Sequence, residues 1–316
     1  MTRRLFSAEG EHLKFLNELP LGIFDSGVGG LTVVREIHRA LPHEDLLYLG
    51  DTARVPYGTK SAETVIRFAC EDAQFLVDRK VKAIIVACNT ASASSLPTLE
   101  REFALSIFGV IQPGAQAAIR NTRNRRIGVI GTGATIRSQA YERAILALDP
   151  AAKVFVCACP LLVPLIEEGW NNHAVTLAVL REYLAPLLEQ RIDTLVLGCT
   201  HYPLLKTAIR RVAGAGVTLV DSAQSCAASV RASLQKRGLS APARRRLGTI
   251  QPFVTDETER FSLLAGKFLR VATEPARKID LPGWIGKVLA PATSAHPSLN
   301  PGVGEDNFSR NKASSR

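Results

Sequence analysis

From residue 21 onward, short uninterrupted apolar runs alternate with segments whose apolar residues recur every three or four positions. LGIF (21–24), LLYLG (46–50) and AIIVA (83–87) are of the first kind. Between them, Val33, Val34, Ile37 and Leu41 fall on one helical stripe. Ile66, Ala69, Cys70, Ala73, Leu76 and Val77 fall on another, opened by Ser61 in the position of an N-cap. Strands that are apolar on both faces and joined by helices predict a parallel sheet covered on both sides. Such sheets bind their ligands at the carboxyl ends of the strands.

A second cycle starts at RRIGVIG (125–131). It continues through a helical pattern over TGATIRSQAYERAILAL (132–148), then KVFVCAC (153–159), a further helical stretch, DTLVLG (193–198) and GVTLVDS (216–222). Setting FDSGVGG (24–30) against IGTGATI (130–136) also sets Cys88 against Cys199, which makes one duplicated α/β unit the economical reading. The predicted fold class is α/β: two pseudo-symmetric doubly wound α/β domains with mainly parallel sheets and the active site in the cleft between them. The first domain takes residues 21–115 together with 224–270, and the second takes 116–223. Residues 1–20 form an N-terminal extension. Residues 271–316, rich in Pro, Gly, Ser and Asn, are expected to be a disordered tail.

Composition narrows this picture. Over 316 residues, 46% apolar and 22% charged content are those of a globular protein with ample core. No window reaches the roughly 18 uninterrupted apolar residues of a membrane span, and the first twenty residues carry charges where a signal peptide needs an apolar centre, so the expected location is cytoplasmic. The net charge of +10 gathers in RNTRNRR (120–126) and ARRR (243–246), loops without aromatic interleaving, which indicates a solvated basic face and not a nucleic-acid surface. Six cysteines in so long a chain without secretory features point to reduced thiols.

Two of those thiols stand where apolar strand gives way to polar groups, in IIVACNTASA (84–93) and TLVLGCTHYPLL (194–205). A reactive thiol needs a basic neighbour or a helix N-terminus to lower its pKa. Cys199 has His201 two residues on, and Cys88 lies at the mouth of a helix, with Asp25 of the adjacent strand a candidate to accept its proton. FDSGVGG suits either an anion-binding glycine turn or a site for an ammonium and a carboxylate, but it lacks the dinucleotide fingerprint and the lysine of a P-loop. GDTARVPYGTKS (50–61) brings Tyr57 and Gly58 either to the same cleft or to a plain loop. Cys157 and Cys159 share one face of a strand, Cys70 and Cys226 sit on helical patterns, and no metal-ligand spacing is present.

DSGVGG, YLGDTARVPYGTKS, ACNTASA, GVIGTGATIRSQAY, CPLLVPLIEEG and LGCTHYPLL, in that order over roughly residues 21–270, resemble the successive motifs of the glutamate racemase family. The resemblance implies interconversion of L- and D-glutamate without pyridoxal phosphate, metal or other cofactor, supplying D-glutamate for peptidoglycan. It implies that Cys88 and Cys199 are the acid and base on opposite faces of the α-carbon, Cys199 serving L-glutamate and Cys88 D-glutamate. Asp25 would assist Cys88, His201 would assist Cys199, and Glu167 would be a further acid of the second site, with Glu168 the alternative match. The implied substrate-binding positions are Asp25, Ser26, Tyr57, Gly58, Asn89, Thr90, Thr135, Thr200 and His201. The expected partner is the small-molecule substrate glutamate, with no membrane and no nucleic acid, and homodimerisation is left open. A racemase of aspartate or another acidic amino acid, or a non-catalytic binding protein with a basic surface, are the competing readings.

Overall fold

The computed structural model describes residues 16–243, 246–281 and 283. The apolar runs become strands and the striped segments helices: β1 (Leu21–Asp25), α1 (Leu31–Ala40), β2 (Leu46–Gly50), α2 (Ala62–Asp78), β3 (Ala83–Val86) and α3 (Asn89–Glu102). Ser61 caps α2 as expected, its hydroxyl accepting from the Thr64 N–H at 3.2 Å. β4 (Ser106–Gly109) and α4 (Ile111–Asn121) follow. All four residues of β4 are half-buried, so its short run carries little of the apolar signal of a central strand.

The second cycle comprises β5 (Arg126–Gly131), α5 (Gly133–Arg137), α6 (Ala140–Leu148), β6 (Lys153–Ala158), α7 (Leu162–Glu167), α8 (Ala174–Glu189), β7 (Thr194–Gly198), α9 (Lys206–Ala213) and β8 (Thr218–Asp221). The helical pattern over 132–148 is two helices, because Gln139 takes a left-handed φ of 53° between them. After β8 come α10 (Ser222–Arg237), β9 (Ile250–Val254), α11 (Thr258–Leu269) and β10 (Arg277–Lys278).

Among the described residues all strand pairs are parallel and form two sheets, ordered β10-β9-β2-β1-β3-β4 and β6-β5-β7-β8. The duplication is visible in the topology, since β2-β1-β3-β4 and β6-β5-β7-β8 have the same order. It is visible in the register too: Phe24 pairs with Val86 in the first sheet and Ile130 with Leu197 in the second. Cys88 and Cys199 each lie two residues beyond that partner, at equivalent points of the two switch crevices.

Alternation along β1 divides the first core. Leu21 and Ile23 pack with Val33, Val34 and Ile37 of α1, whereas Phe24 packs with Ala69 and Leu76 of α2. Each of these fully buried Leu, Ile, Val and Phe side chains contributes about 1.5 to 3 kcal/mol by leaving water. The helix α4, inside which the expected boundary between residues 115 and 116 falls, packs as a whole on α6, β7 and β8, so the chain has crossed to the second sheet by Ile111. α10 lies against both α1 and α4, and β9 then returns to pair with β2.

The tail differs from expectation where it is described: Arg277 and Lys278 add β10 beside β9, and Glu274 N–H donates to the Ile250 carbonyl at 2.9 Å. Residues 284–316 and 1–15 lie outside the described residues, as do Arg244 and Arg245 of the second basic run. The first basic run folds as a turn that wraps the Asp193 carboxylate, which accepts the Arg123 and Asn124 N–H groups at 2.6 and 2.8 Å. No helix among the described residues is long and apolar enough to cross a membrane.

Candidate active site

At the end of β1 the chain buries Asp25 completely. Its carboxylate accepts the Gly27 N–H at 3.1 Å and, from the other sheet, the Thr200 hydroxyl at 3.5 Å. Thr32 of α1 donates in turn to the Thr200 carbonyl at 2.7 Å, so the two strand-end loops are tied together by buried hydrogen bonds. Burial raises the pKa of Asp25, against the attraction of His201 and the N–H groups of Gly30 and Gly27.

Cys88 is the N-cap of α3, its sulfur accepting the Ala91 N–H at 3.5 Å and donating to Ser26 Oγ at 3.7 Å. Burial, and next the charge of Asp25, push the thiol up to about 12, so it is held protonated. Asp25 therefore acts on Cys88 through its field, and the hydrogen-bond partner of the thiol is Ser26.

Cys199 follows β7 directly. Its sulfur lies 3.9 Å from His201 Nδ1, and His201 Nε2 lies 3.0 Å from Glu167 Oε1 at the end of α7. Burial works against a charged ring, but the hydrogen bonds with Cys199 and Glu167 outweigh it and push the imidazole up to about 10. The same bond draws the Glu167 carboxyl below its usual value. Of the two adjacent acids, it is Glu167 that reaches the histidine.

Both thiols open on one cavity of about 430 Å³. Ser26, Tyr57, Gly58, Asn89, Thr90, Glu167, Thr200 and His201 also line it, so the structure brings together all but two of the expected residues. Asp25 and Thr135 stand behind the lining. Thr135 is the buried corner of a hydroxyl triangle, 3.1 Å from Thr90 Oγ1 and 3.0 Å from Thr132 Oγ1, with Thr90 and Thr132 2.8 Å apart. Thr132 is a further residue of the lining itself, beyond the expected set, and the repeat alignment places it opposite Ser26. Tyr57 presents its ring while its hydroxyl is taken up by the buried carboxylates of Asp51 and Asp72. Gly58 lets its loop meet the second half, since a Cβ there would come within 2.8 Å of Thr132 Cβ.

Asn89 is buried with its Oδ1 accepting from Tyr141 at 2.7 Å, and its Nδ2 has no hydrogen-bond partner. A buried amide left with free donors on a cavity wall is a ready anchor for an acceptor such as a carboxylate. Arg260 of α11 also lines the cavity, 3.8 Å from Glu167 Oε2, and nothing in the sequence pattern marks this exposed helical arginine. Among the described residues no group of three or more His, Cys, Asp or Glu is arranged to hold a metal.

Two cysteine side chains thus come from equivalent strand ends of a duplicated α/β fold and open on one small cavity, an arrangement that suits an isomerase working on a single stereocentre. The model of the Asp/Glu/Hydantoin racemase family matches residues 22–230. A glutamate racemase of Geobacter metallireducens is 52% identical over 249 residues, covering 79% of this chain and 92% of that relative. The crystal structure of a glutamate racemase isoform of Bacillus anthracis superposes with a TM-score of 0.80 at 41% identity, covering 84% of this chain and 99% of that one. That of the Francisella tularensis glutamate racemase in complex with D-glutamate gives a TM-score of 0.78 at 36% identity, covering 85% and 100%. The chain belongs to the glutamate racemase family, whose members are isomerases acting on an amino acid.

Proposed function

We propose that the chain interconverts L- and D-glutamate by a two-base proton transfer in which Cys88 and Cys199 take and give the α-proton on opposite faces of the α-carbon. The single observation that supports this most is that both sulfurs, carried by equivalent strand ends of the two sheets, open on the same cavity. One thiol removes the α-proton as thiolate while the other returns a proton from the far side, inverting the centre.

The hydrogen-bond partners of the two thiols assign their first roles. Cys88 is protonated and serves as the acid. Cys199, with the His201 and Glu167 relay behind it, serves as the base and receives the proton of L-glutamate, the protons of the pair being exchanged for the return reaction. Asp25, buried and of raised proton affinity, supports the Cys88 side through its field when Cys88 must act as base.

The α-proton of an amino acid is a weak acid, so the carbanion must be held by preorganised donors away from water. Asn89, Thr90, Thr132 and Thr200 with Ser26 supply neutral donors around the cavity, and Thr135 braces Thr90 and Thr132 from behind. Tyr57 and Gly58 close the wall on the loop side. Two domains, the helix from Ile111 belonging with the second, close on the substrate during turnover. D-glutamate made in this way would feed peptidoglycan synthesis in the cytoplasm.

The test follows deuterium at the α-carbon by NMR in heavy water, with L- and D-glutamate supplied separately, for the wild type and for Cys88→Ser and Cys199→Ser. Racemisation is expected in the wild type and lost in both variants. Undiminished turnover in either variant removes that cysteine from the mechanism, and faster turnover of aspartate than of glutamate overturns the choice of substrate.

A further inference from the structure

We propose that Cys157 and Cys159 form a peroxide-responsive dithiol, a modification site distinct from the two thiols of the racemase cavity. The two sulfurs lie 3.9 Å apart, with the Cys159 thiol donating to the sulfur of Cys157. Both residues are on the same face at the carboxyl end of β6, which is the edge strand of its sheet. Cys157 is half-buried and reachable from solvent, whereas Cys159 is fully buried behind it. An accessible thiol beside a second, protected one is the arrangement by which proteins trap a first oxidation product as a disulfide. The hydrogen bond from Cys159 also draws Cys157 down to about 7, which places thiolate at the exposed position, the one that meets oxidant first.

The step balances with a hydroperoxide as oxidant. The Cys157 thiolate attacks the peroxide oxygen and breaks the O–O bond. This forms a sulfenic acid and expels hydroxide (or an alkoxide, from an organic peroxide), which takes up a proton to leave as water (or an alcohol). The Cys159 sulfur then attacks the sulfenic sulfur, the S–O bond breaks, the S–S bond forms, and the thiol proton leaves with the hydroxyl as water. Each sulfur gives up one electron and the peroxide accepts two. In an extended strand, Cα atoms two residues apart are separated by roughly 6.6 Å, inside the upper limit of about 6.8 Å for a disulfide, so closure needs rotation of the two side chains and a local adjustment of the strand end.

That adjustment falls on atoms that hold the cavity. The Cys159 carbonyl accepts the Tyr202 hydroxyl at 3.0 Å, and its N–H donates to the Gly131 carbonyl at 2.8 Å. Tyr202 follows His201 in the chain, and Pro160, next to Cys159, is on the cavity wall at the entry to α7, which carries Glu167. Drawing Cys159 toward Cys157 therefore disturbs the His201 and Glu167 side of the cavity and slows turnover. The covalent step stands without the racemase reading, and only its effect on turnover rests on that reading.

The experiment treats the full-length protein with hydrogen peroxide, blocks remaining thiols with iodoacetamide, and maps the tryptic peptide of residues 154–181, which contains Cys157 and Cys159 and neither Cys88 nor Cys199. The peptide is expected unalkylated and lighter by two hydrogens, returning to the doubly alkylated form after dithiothreitol. Racemisation should fall in step with this mass and recover with it. Cys157→Ala, which keeps both cavity thiols, should retain basal activity and lose the dithiothreitol-reversible part of the inactivation. A peptide that stays doubly alkylated, or that carries sulfinic acid at Cys157 with no disulfide, overturns the proposal. A disulfide that forms while turnover is unaffected overturns the coupling alone, and equal reversible inactivation of Cys157→Ala assigns the effect elsewhere.

Discussion

Gly29 and His201 meet across the two halves of the molecule: a Cβ on Gly29 would stand 2.4 Å from both Cε1 and Nδ1 of the His201 ring, and 2.4 Å from Thr200 Oγ1. The absence of a side chain just before α1 is thus what lets the imidazole take its place beside Cys199. Gly29→Ala must move the ring, and a displacement of about 1 Å at a catalytic group costs on the order of 100-fold in rate. The expected outcome is a variant whose thermal melt by circular dichroism stays cooperative while its racemisation, followed polarimetrically, falls by about that factor. A fully active Gly29→Ala protein would show that the position of His201 is not critical.

The His201–Glu167 pair fixes a pH dependence. The pKa of His201 is raised from 6.5 to about 10, so its charged contacts add stability that is complete below pH 6.5 and gone once pH has risen through about 10. The pKa of Glu167 is lowered from 4.5, so its contribution is complete above pH 4.5 and is lost as pH falls through the depressed value. In Glu167→Gln the neighbouring carboxylate is gone, and the His201 pKa falls by about 1 to 3 units. The alkaline limb of the kcat/KM profile should move to lower pH by a similar amount. Glu168→Gln should leave that limb in place, because Glu168 lies on the cavity wall without a hydrogen bond to His201. Matching profiles for the two variants would sink the assignment of Glu167.

Much of this site could be read before any coordinates, and for one physical reason: a buried parallel strand ends abruptly, so the first polar residues after VA and LG mark the strand-end row. Ser26, Cys88, Asn89, Cys199, Thr200 and His201 all follow such ends. What the pattern left out depends on packing between elements distant in sequence. Which of Glu167 and Glu168 reaches His201 is set by the turn of the six-residue α7, too short to show a stripe. Thr135 and Thr132 are three residues apart at the start of α5, and only the docking of α3 decides which of them reaches the cavity. β10 escapes notice because two exposed charged residues, Arg277 and Lys278, have no apolar period at all and are held by the edge of β9.

Removing one thiol should separate exchange from inversion. With Cys88→Ala, the Cys199 and His201 side remains intact, and L-glutamate in heavy water should exchange its α-proton for deuterium without giving the D-enantiomer. The NMR signal of the α-proton then disappears while optical rotation stays constant. For partial variants that keep both thiols, such as Asp25→Asn, kcat/KM must fall by the same factor in both directions, because the enantiomers have equal free energy in water. Asymmetry is confined to kcat and KM taken separately. Exchange of D-glutamate and not L-glutamate by Cys88→Ala would reverse the assignment of the two faces.

Tyr141 reaches the cavity only through Asn89. Its hydroxyl is buried at the start of α6 and donates to Asn89 Oδ1, which fixes the amide plane and leaves the Nδ2 donors as the part without a partner. Tyr141→Phe keeps the ring in its apolar surroundings and deletes the hydroxyl's bond to Asn89 together with its interaction with Ser222, each a net loss of about 0.5 to 1.5 kcal/mol. The amide is then free to turn its oxygen toward a bound carboxylate, so the loss should appear in substrate affinity. Steady-state kinetics should show KM raised by up to roughly tenfold, the factor that corresponds to about 1.4 kcal/mol, with kcat changed less. A variant with unchanged KM and a large fall in kcat would mean that Asn89 acts at the transition state and not in binding the ground state.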